Sequence, residues 1–486
     1  MDHRPRRRRA IVPLVACLLA SLTAGALAAP SSAPTLRLIR GKNHVTLTSF
    51  REKVRLNLQV WVAATGGDFQ LELQKPDYDS PVEVTQVDPA TGEVLRSVPP
   101  EMVDGWRGLN GFFLITIRDA AGTTVAAREV KFCPNSYERQ RVDGSGDDVS
   151  RFPSNCGSFV FMKGNVWGID NGWASSSLSE FGAPRLQLDP GEYTATVEIS
   201  SDFVGLFEVP AEQSSATFDV TVVEGRRRRP PYHEHITRAA AAPEDDPNTD
   251  APTTAQPDPA TLPDLVALPP WGVITTNARK SDRDRLAFSA TPWNAGPSPL
   301  VVEGYRRASD DVMDSYQYFY DANGEAVGRA PVGEMIFHEG RGHNHWHFLD
   351  FTTYTLLDSQ GEEIVMSMKQ SFCIANTDPV DLAVDRAAWN PYSTGFGSSC
   401  GGSDSIWVRE KLEAGWGDTY FQGVAGQAFD ITDIPNGWYQ IEAHVNPLGN
   451  LYERDTTNNI ERRLVHLGGK PGRRTALMAP WHGITD

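Results

Sequence analysis

Short runs of apolar–polar alternation, closed off by Gly, Pro, Asn or Asp, recur along the whole chain and no long amphipathic helix interrupts them. In YTATVEIS the alternation sets Tyr193, Ala195, Val197 and Ile199 on one face, and in TFDVTVVE it does the same for Phe218, Val220 and Val222. Side chains alternate across a strand, so this period of two specifies sheets with one buried face. The expected class is all-β. At 486 residues the chain is too long for one core at ~100–200 residues per domain. Two β-sandwich-like domains are therefore expected.

Composition places the boundaries. Five arginines, an apolar run from Ala10 to Leu22 and the small-residue triplet Ala26-Leu27-Ala28 make residues 1–28 an expected signal peptide. Arg8-Arg9 leaves a twin-arginine route open, and Cys17 a lipidation site, although the apolar run continues past that cysteine. Loss of residues 1–28 removes five arginines and one aspartate, taking the net charge from -17 to -21. So acidic a chain argues against nucleic acid as a partner. Residues 225–261, rich in Pro, Ala, Thr and acids, are expected to be a flexible, disordered linker. It separates an N-terminal domain (34–224) from a C-terminal one (262–468), with a tail at 469–486. Within the linker, Arg226–Arg229 read as solvated charge, and His233 and His235 lack a nearby third ligand. Four cysteines remain after the signal, and their order suggests disulfides Cys133–Cys156 and Cys373–Cys400.

The two halves share an order of features. FLITIRDAAGTTVAAREVKFC (113–133) and FTTYTLLDSQGEEIVMSMKQSFC (351–373) have the same strand, Asp-x-x-Gly turn, strand and Phe-Cys ending. Each is followed by a second cysteine before Gly, a Trp-Gly and a Gly-x-Tyr strand start. The first domain is thus expected to be a degenerate repeat of the second. Where the second half reads GHNHWHF, the first reads GWRGLNGF, so the fold itself does not require the histidines.

Four of the eleven histidines fall in residues 338–347: His338, His343, His345 and His347. On a helix, positions 343, 345 and 347 would scatter, whereas a strand gathers them on one face. At ~3.3 Å per residue the outer two Cα atoms lie about 13 Å apart, so the strand must bend toward a shared ion. Gly340 and Gly342 permit such a distortion. Three imidazoles without a thiolate suit copper, zinc, iron or nickel and leave a coordination position open. His44, His444 and His466 stand alone.

From LPDLV at 262 through HNHWHFLDFTTYTLLD, MKQSFC and GDTYFQGVAGQAFDITDIPNGWY to YERDTTNN, the chain resembles the lysyl oxidases, copper amine oxidases that carry a lysine tyrosylquinone. The resemblance implies copper on His343, His345 and His347, and a quinone made from Lys369 and Tyr420. It also implies calcium on Glu453, Asp455, Asn458 and Asn459, completed by Asp264 and the Leu265 carbonyl, a hard-oxygen set. The implied reaction takes a primary amine, small or peptidyl lysine, and dioxygen to an aldehyde, ammonia and hydrogen peroxide. Standard side chains have no electron sink for such a reaction, so an organic cofactor is needed. Asp418, two positions before Tyr420 and so on its face of an extended segment, is the candidate base. The expected protein is secreted and extracellular, with no transmembrane segment.

Two departures bear on specificity: Trp346 replaces a tyrosine, and Thr353 stands where animal members have histidine. Two other readings fit the same triad. One is a non-catalytic extracellular copper-binding or adhesion protein, and the other a zinc hydrolase.

Overall fold

The computed structural model describes residues 33–485 apart from 52, 177, 179–182, 226–251, 278–282, 308–310, 340–343 and 393–397. The expected signal peptide, Arg226–Arg229, His233, His235, Gly340, Gly342 and His343 lie outside the described residues. The all-β expectation is met: among the described residues strands dominate, and the one α-helix spans only Ser201–Leu206. No helix is long and apolar enough to cross a membrane among the described residues.

In the first half, β1 (Leu109–Asp119) pairs with β2 (Thr124–Phe132) and with β4 (Gly191–Ile199), which pairs with β5 (Ser215–Glu224). The order β2-β1-β4-β5 belongs to a seven-stranded sheet. A further strand, β3 (Gly164–Ile169), lies in a four-stranded sheet. Alternation works as the sequence implies: Ala195, Val197, Phe218 and Val220 are all buried in one core.

In the second half the strands used below are β6 (Pro292–Asn294), β7 (Ala326–His338), β8 (His345–Leu349), β9 (Thr352–Leu357), β10 (Glu363–Met366), β11 (Ser371–Phe372), β12 (Asp378–Pro379), β13 (Trp407–Leu412), β14 (Trp416–Gly417), β15 (Gly437–Val445) and β16 (Ile460–Lys470). A five-stranded sheet begins β10-β9-β15-β16, and a six-stranded sheet begins β11-β8-β7. The order β10-β9-β15-β16 matches β2-β1-β4-β5 strand for strand. The two halves differ at one point. In the first half β2 is continuous up to Cys133, whereas in the second the strand stops at Met366 and resumes as β11, now bonded to β8 in the other sheet. Lys369 sits in that crossover, between the two sheets.

Both disulfides form as the cysteine order suggests, Cys133–Cys156 and Cys373–Cys400. Residues 252–254, within the expected linker, bond to β7 through Thr254 N–H to Arg329 O at 2.9 Å and Arg329 N–H to Pro252 O at 3.0 Å. Strand Arg473–Met478 extends the second half's sheet beyond residue 468. The halves touch through a buried cluster that includes Phe159, Phe161, Met162, Leu268, Trp293 and Val380.

Candidate amine-oxidation site

The crossover turns Lys369 inward. Its ammonium nitrogen lies 2.9 Å from Ser371 O, 4.4 Å from the Tyr420 ring centroid and 4.7 Å from that of Phe372. Gly426 covers it: at φ +84° an added Cβ would lie 3.2 Å from Lys369 Cβ and its backbone N. Burial disfavours the charged amine and lowers its pKa to about 8, against a pull upward from Asp418. A buried amine that is readily neutral is a nucleophile at moderate pH.

Tyr420 is fixed by antiparallel backbone bonds to Ala290, at 2.9 and 3.1 Å. Its hydroxyl donates to Cys373 O at 2.9 Å, and its ring meets Phe372 edge-on at 4.9 Å. Asp418 lies close enough to Tyr420 for its carboxylate to push that phenol upward. Burial is the main cause holding Asp418 well above the usual carboxylate range and Tyr420 well above the usual phenol range.

Sequence reasoning missed several neighbours. Glu410, on β13, is fully buried; its carboxyl accepts Ile374 N–H at 2.8 Å, and burial is the main cause raising its pKa well above the usual carboxylate range. Asp418 Oδ2 and Glu410 Oε1 are buried without a hydrogen-bond partner among the described residues. Tyr354 is buried close enough to Asp418 for its phenol to be pushed further up. A lone glutamate in a strand gives no sequence signal. Ser371 does carry one: it lies two residues after Lys369 in MKQSFC.

The histidines lie on the sheet next door. His345 and His347 share one face of β8, with ring centroids 4.6 Å apart, as alternate strand positions require. His338, at the end of β7, is in register with His345, and its ring lies 5.3 Å from that of His347. The buried His347 has its Nδ1 3.0 Å from Ser371 Oγ. In the tautomer that donates Nδ1–H to that hydroxyl, Nε2 carries the lone pair that a metal would take, the usual outer-shell arrangement for an imidazole site. Ser371 therefore touches both components, His347 through its hydroxyl and Lys369 through its carbonyl.

Glu410 also lies with Cys373 and Cys400, all within 4.8 Å. Those sulfurs are joined to each other, so they offer no thiolate to an ion.

The expected calcium ligands divide. Asn458 Nδ2 donates to Asp264 Oδ1 at 3.0 Å, Asn459 Nδ2 to Glu453 Oε1 at 2.8 Å, and Leu265 N–H to Glu453 Oε2 at 3.1 Å. Asn458 Oδ1 and Asn459 Oδ1 are buried with no partner among the described residues. Orphaned amide oxygens beside two carboxylates suit a hard cation. Asp455 differs: it is exposed, and its Oδ1 accepts the N–H and hydroxyl of Thr457 at 2.8 and 2.6 Å.

A family model described as lysyl oxidase matches residues 322–474, which hold His345, His347, Lys369, Asp418 and Tyr420. The chain carries a lysyl oxidase family domain. It is 31% identical over 130 residues to human lysyl oxidase homolog 1, covering 26% of this chain and 20% of that protein. It is 31% identical over 160 residues to mouse lysyl oxidase homolog 4 (33% and 18%), and 27% identical over 164 residues to chicken lysyl oxidase homolog 2 (33% and 18%). The chain thus spans about a fifth of the length of the curated relatives it matches. The first half of the chain lies outside the matched segment.

Proposed function

We propose that the protein is a secreted copper-dependent amine oxidase that converts primary amines, peptidyl lysine among them, to aldehydes with release of ammonia and hydrogen peroxide. The observation that carries this reading is the buried Lys369 amine held over the Tyr420 ring, 4.4 Å from its centroid. A structural lysine would be expected to snorkel to water or to pair with an acid. Here the nitrogen bonds a backbone carbonyl and faces a phenol ring.

His343, His345 and His347 would hold copper. Copper, when bound, supplies the redox chemistry by which dioxygen oxidises a nearby phenol, which redox-inert zinc does not. Lys369 and Tyr420 are the two halves of the lysine tyrosylquinone in this reading. Ser371 holds the lysine amine toward the ring, Phe372 and Gly426 exclude water from it, and Asp418 accepts the proton leaving the substrate's α-carbon. Burial poises Asp418 for that task by raising its affinity for a proton. Calcium on Asp264, Leu265 O, Glu453, Asn458 and Asn459, with Asp455 at the rim, would pin the start of the domain to its last strands.

The same reading takes residues 1–28 as an export signal, 34–224 as a non-catalytic domain, 225–261 as a linker, 262–468 as the catalytic domain and 469–486 as a tail. The matching strand orders support a degenerate repeat. So does Tyr193, whose hydroxyl donates to Asp189 O at 3.0 Å, as that of Tyr439 does to Pro435 O at 3.0 Å.

Metal analysis with a hydrazine probe for quinone carbonyls tests the function. Copper with labelling is the expected result. Copper without labelling would support an adhesion or copper-binding protein instead, and zinc without labelling a hydrolase.

A further inference from the structure

Asp418 lies just beyond β14, a two-residue strand too short to hold its own position. β6 holds it on one side, Asp418 N–H donating to Pro292 O at 2.9 Å, and the segment 377–381 holds it on the other. β12 pairs with β14, Asp378 opposite Gly417 and Pro379 opposite Trp416. Thr377 Oγ accepts Thr419 N–H at 2.7 Å and donates to Gly417 O at 3.0 Å, bonding to the residues on both sides of Asp418. Val380 and Asp381 donate to Gly415 O at 2.9 and 3.1 Å.

That segment is in turn held by the first half. Lys163 N–H donates to Val380 O at 2.7 Å and Leu382 N–H to Gly164 O at 3.0 Å, so Gly164 and Asp381 form a parallel bridge. The approach is close: a Cβ on Gly164 would meet Asp381 Oδ1 and lie 3.2 Å from Ala383 N. Asn390 donates to Ser150 O at 2.8 Å, and Phe152 stacks on Trp389 at 5.9 Å and 13°. Phe161 packs in one buried cluster with Val380 and with Trp293, whose backbone pairs with Gly417. On the other flank, Phe159 meets Trp271 at 5.8 Å and Trp271 meets Phe421 at 5.8 Å, the residue after Tyr420.

We propose that residues 150–164 of the first half are a positioning element of the amine-oxidation site, bracing 416–421 from both flanks. The first half is then part of the catalytic scaffold and not a detachable docking module. The proposal rests on the amine-oxidase reading only for the consequence it has on the quinone. The bracing itself is a property of the apo fold.

The test compares full-length Phe161→Ala and Gly164→Ala with Val197→Ala, which opens a void in the first half's own core away from this contact. Hydrogen exchange of peptides spanning 416–421, copper stoichiometry and Lys369–Tyr420 cross-link yield are read on each. Phe161→Ala and Gly164→Ala are expected to exchange about tenfold faster at 416–421, with lower cross-link yield and unchanged copper. Val197→Ala is expected to match wild type in all three. Should Phe161→Ala not fold, Phe161→Leu carries the same arm. Unchanged exchange in both interface variants would overturn the proposal, as would equal acceleration in Val197→Ala. A wild-type chain that binds copper yet forms no cross-link would remove the oxidase reading while leaving the exchange result to decide the bracing.

Discussion

Lys369 and Tyr420 are 51 positions apart in sequence, yet the lysine nitrogen lies 4.4 Å from the tyrosine ring centroid. The crossover between β10 and β11 brings them together, and the first half, where β2 runs on unbroken, has no counterpart to it.

Lys369 should make the uncross-linked chain more stable as pH rises. Its folded pKa of about 8 lies below the ordinary 10.5, so between those values the unfolded chain keeps a proton that the folded one has lost. Stability contributed this way grows through the window, by on the order of 3 kcal/mol. Denaturant midpoints of the apo protein between pH 8 and 10.5 should show the slope, and Lys369→Met should abolish it.

Asp418→Asn should separate fold from function. Burial raises the carboxyl's affinity for a proton, and asparagine keeps the side chain's shape while removing its capacity to take one up. Thermal unfolding should change by no more than about 1 kcal/mol, while amine turnover falls by at least about 100-fold.

Ser371→Ala should weaken copper and spare the lysine. The variant loses the hydroxyl 3.0 Å from His347 Nδ1 but keeps the carbonyl that accepts Lys369. Copper affinity by competition titration should drop roughly 10–100-fold, with a changed copper spectrum, and Ser371→Thr should restore both. At saturating copper the cross-link should still form.

Calcium chelation should lower the unfolding temperature, and Glu453→Gln should mimic it at a cost of about 1–3 kcal/mol. Asp455→Ala should cost less, because that carboxylate is exposed and occupied by Thr457. A calorimetric titration with calcium, wild type against both variants, checks the order.

Much of this was legible in sequence because alternation fixes which residues share a face. That rule put His345 beside His347 and buried Val197 and Val220. The disulfides followed from the order of the cysteines alone. Glu410 was not legible as a site neighbour, because it reaches the site through a contact between distant strands that no local pattern encodes. The contact between the halves was invisible for a related reason. Phe159 and Phe161 stand in a turn-rich stretch, where two aromatics resemble loop decoration until Trp271 and Val380 close over them.

The most direct test is peptide mass mapping of copper-loaded, air-incubated wild type beside Lys369→Arg. The account predicts one covalently joined species containing both the Lys369 and Tyr420 peptides in wild type and none in the variant. Recovery of both peptides free and unmodified from the wild-type chain would contradict it.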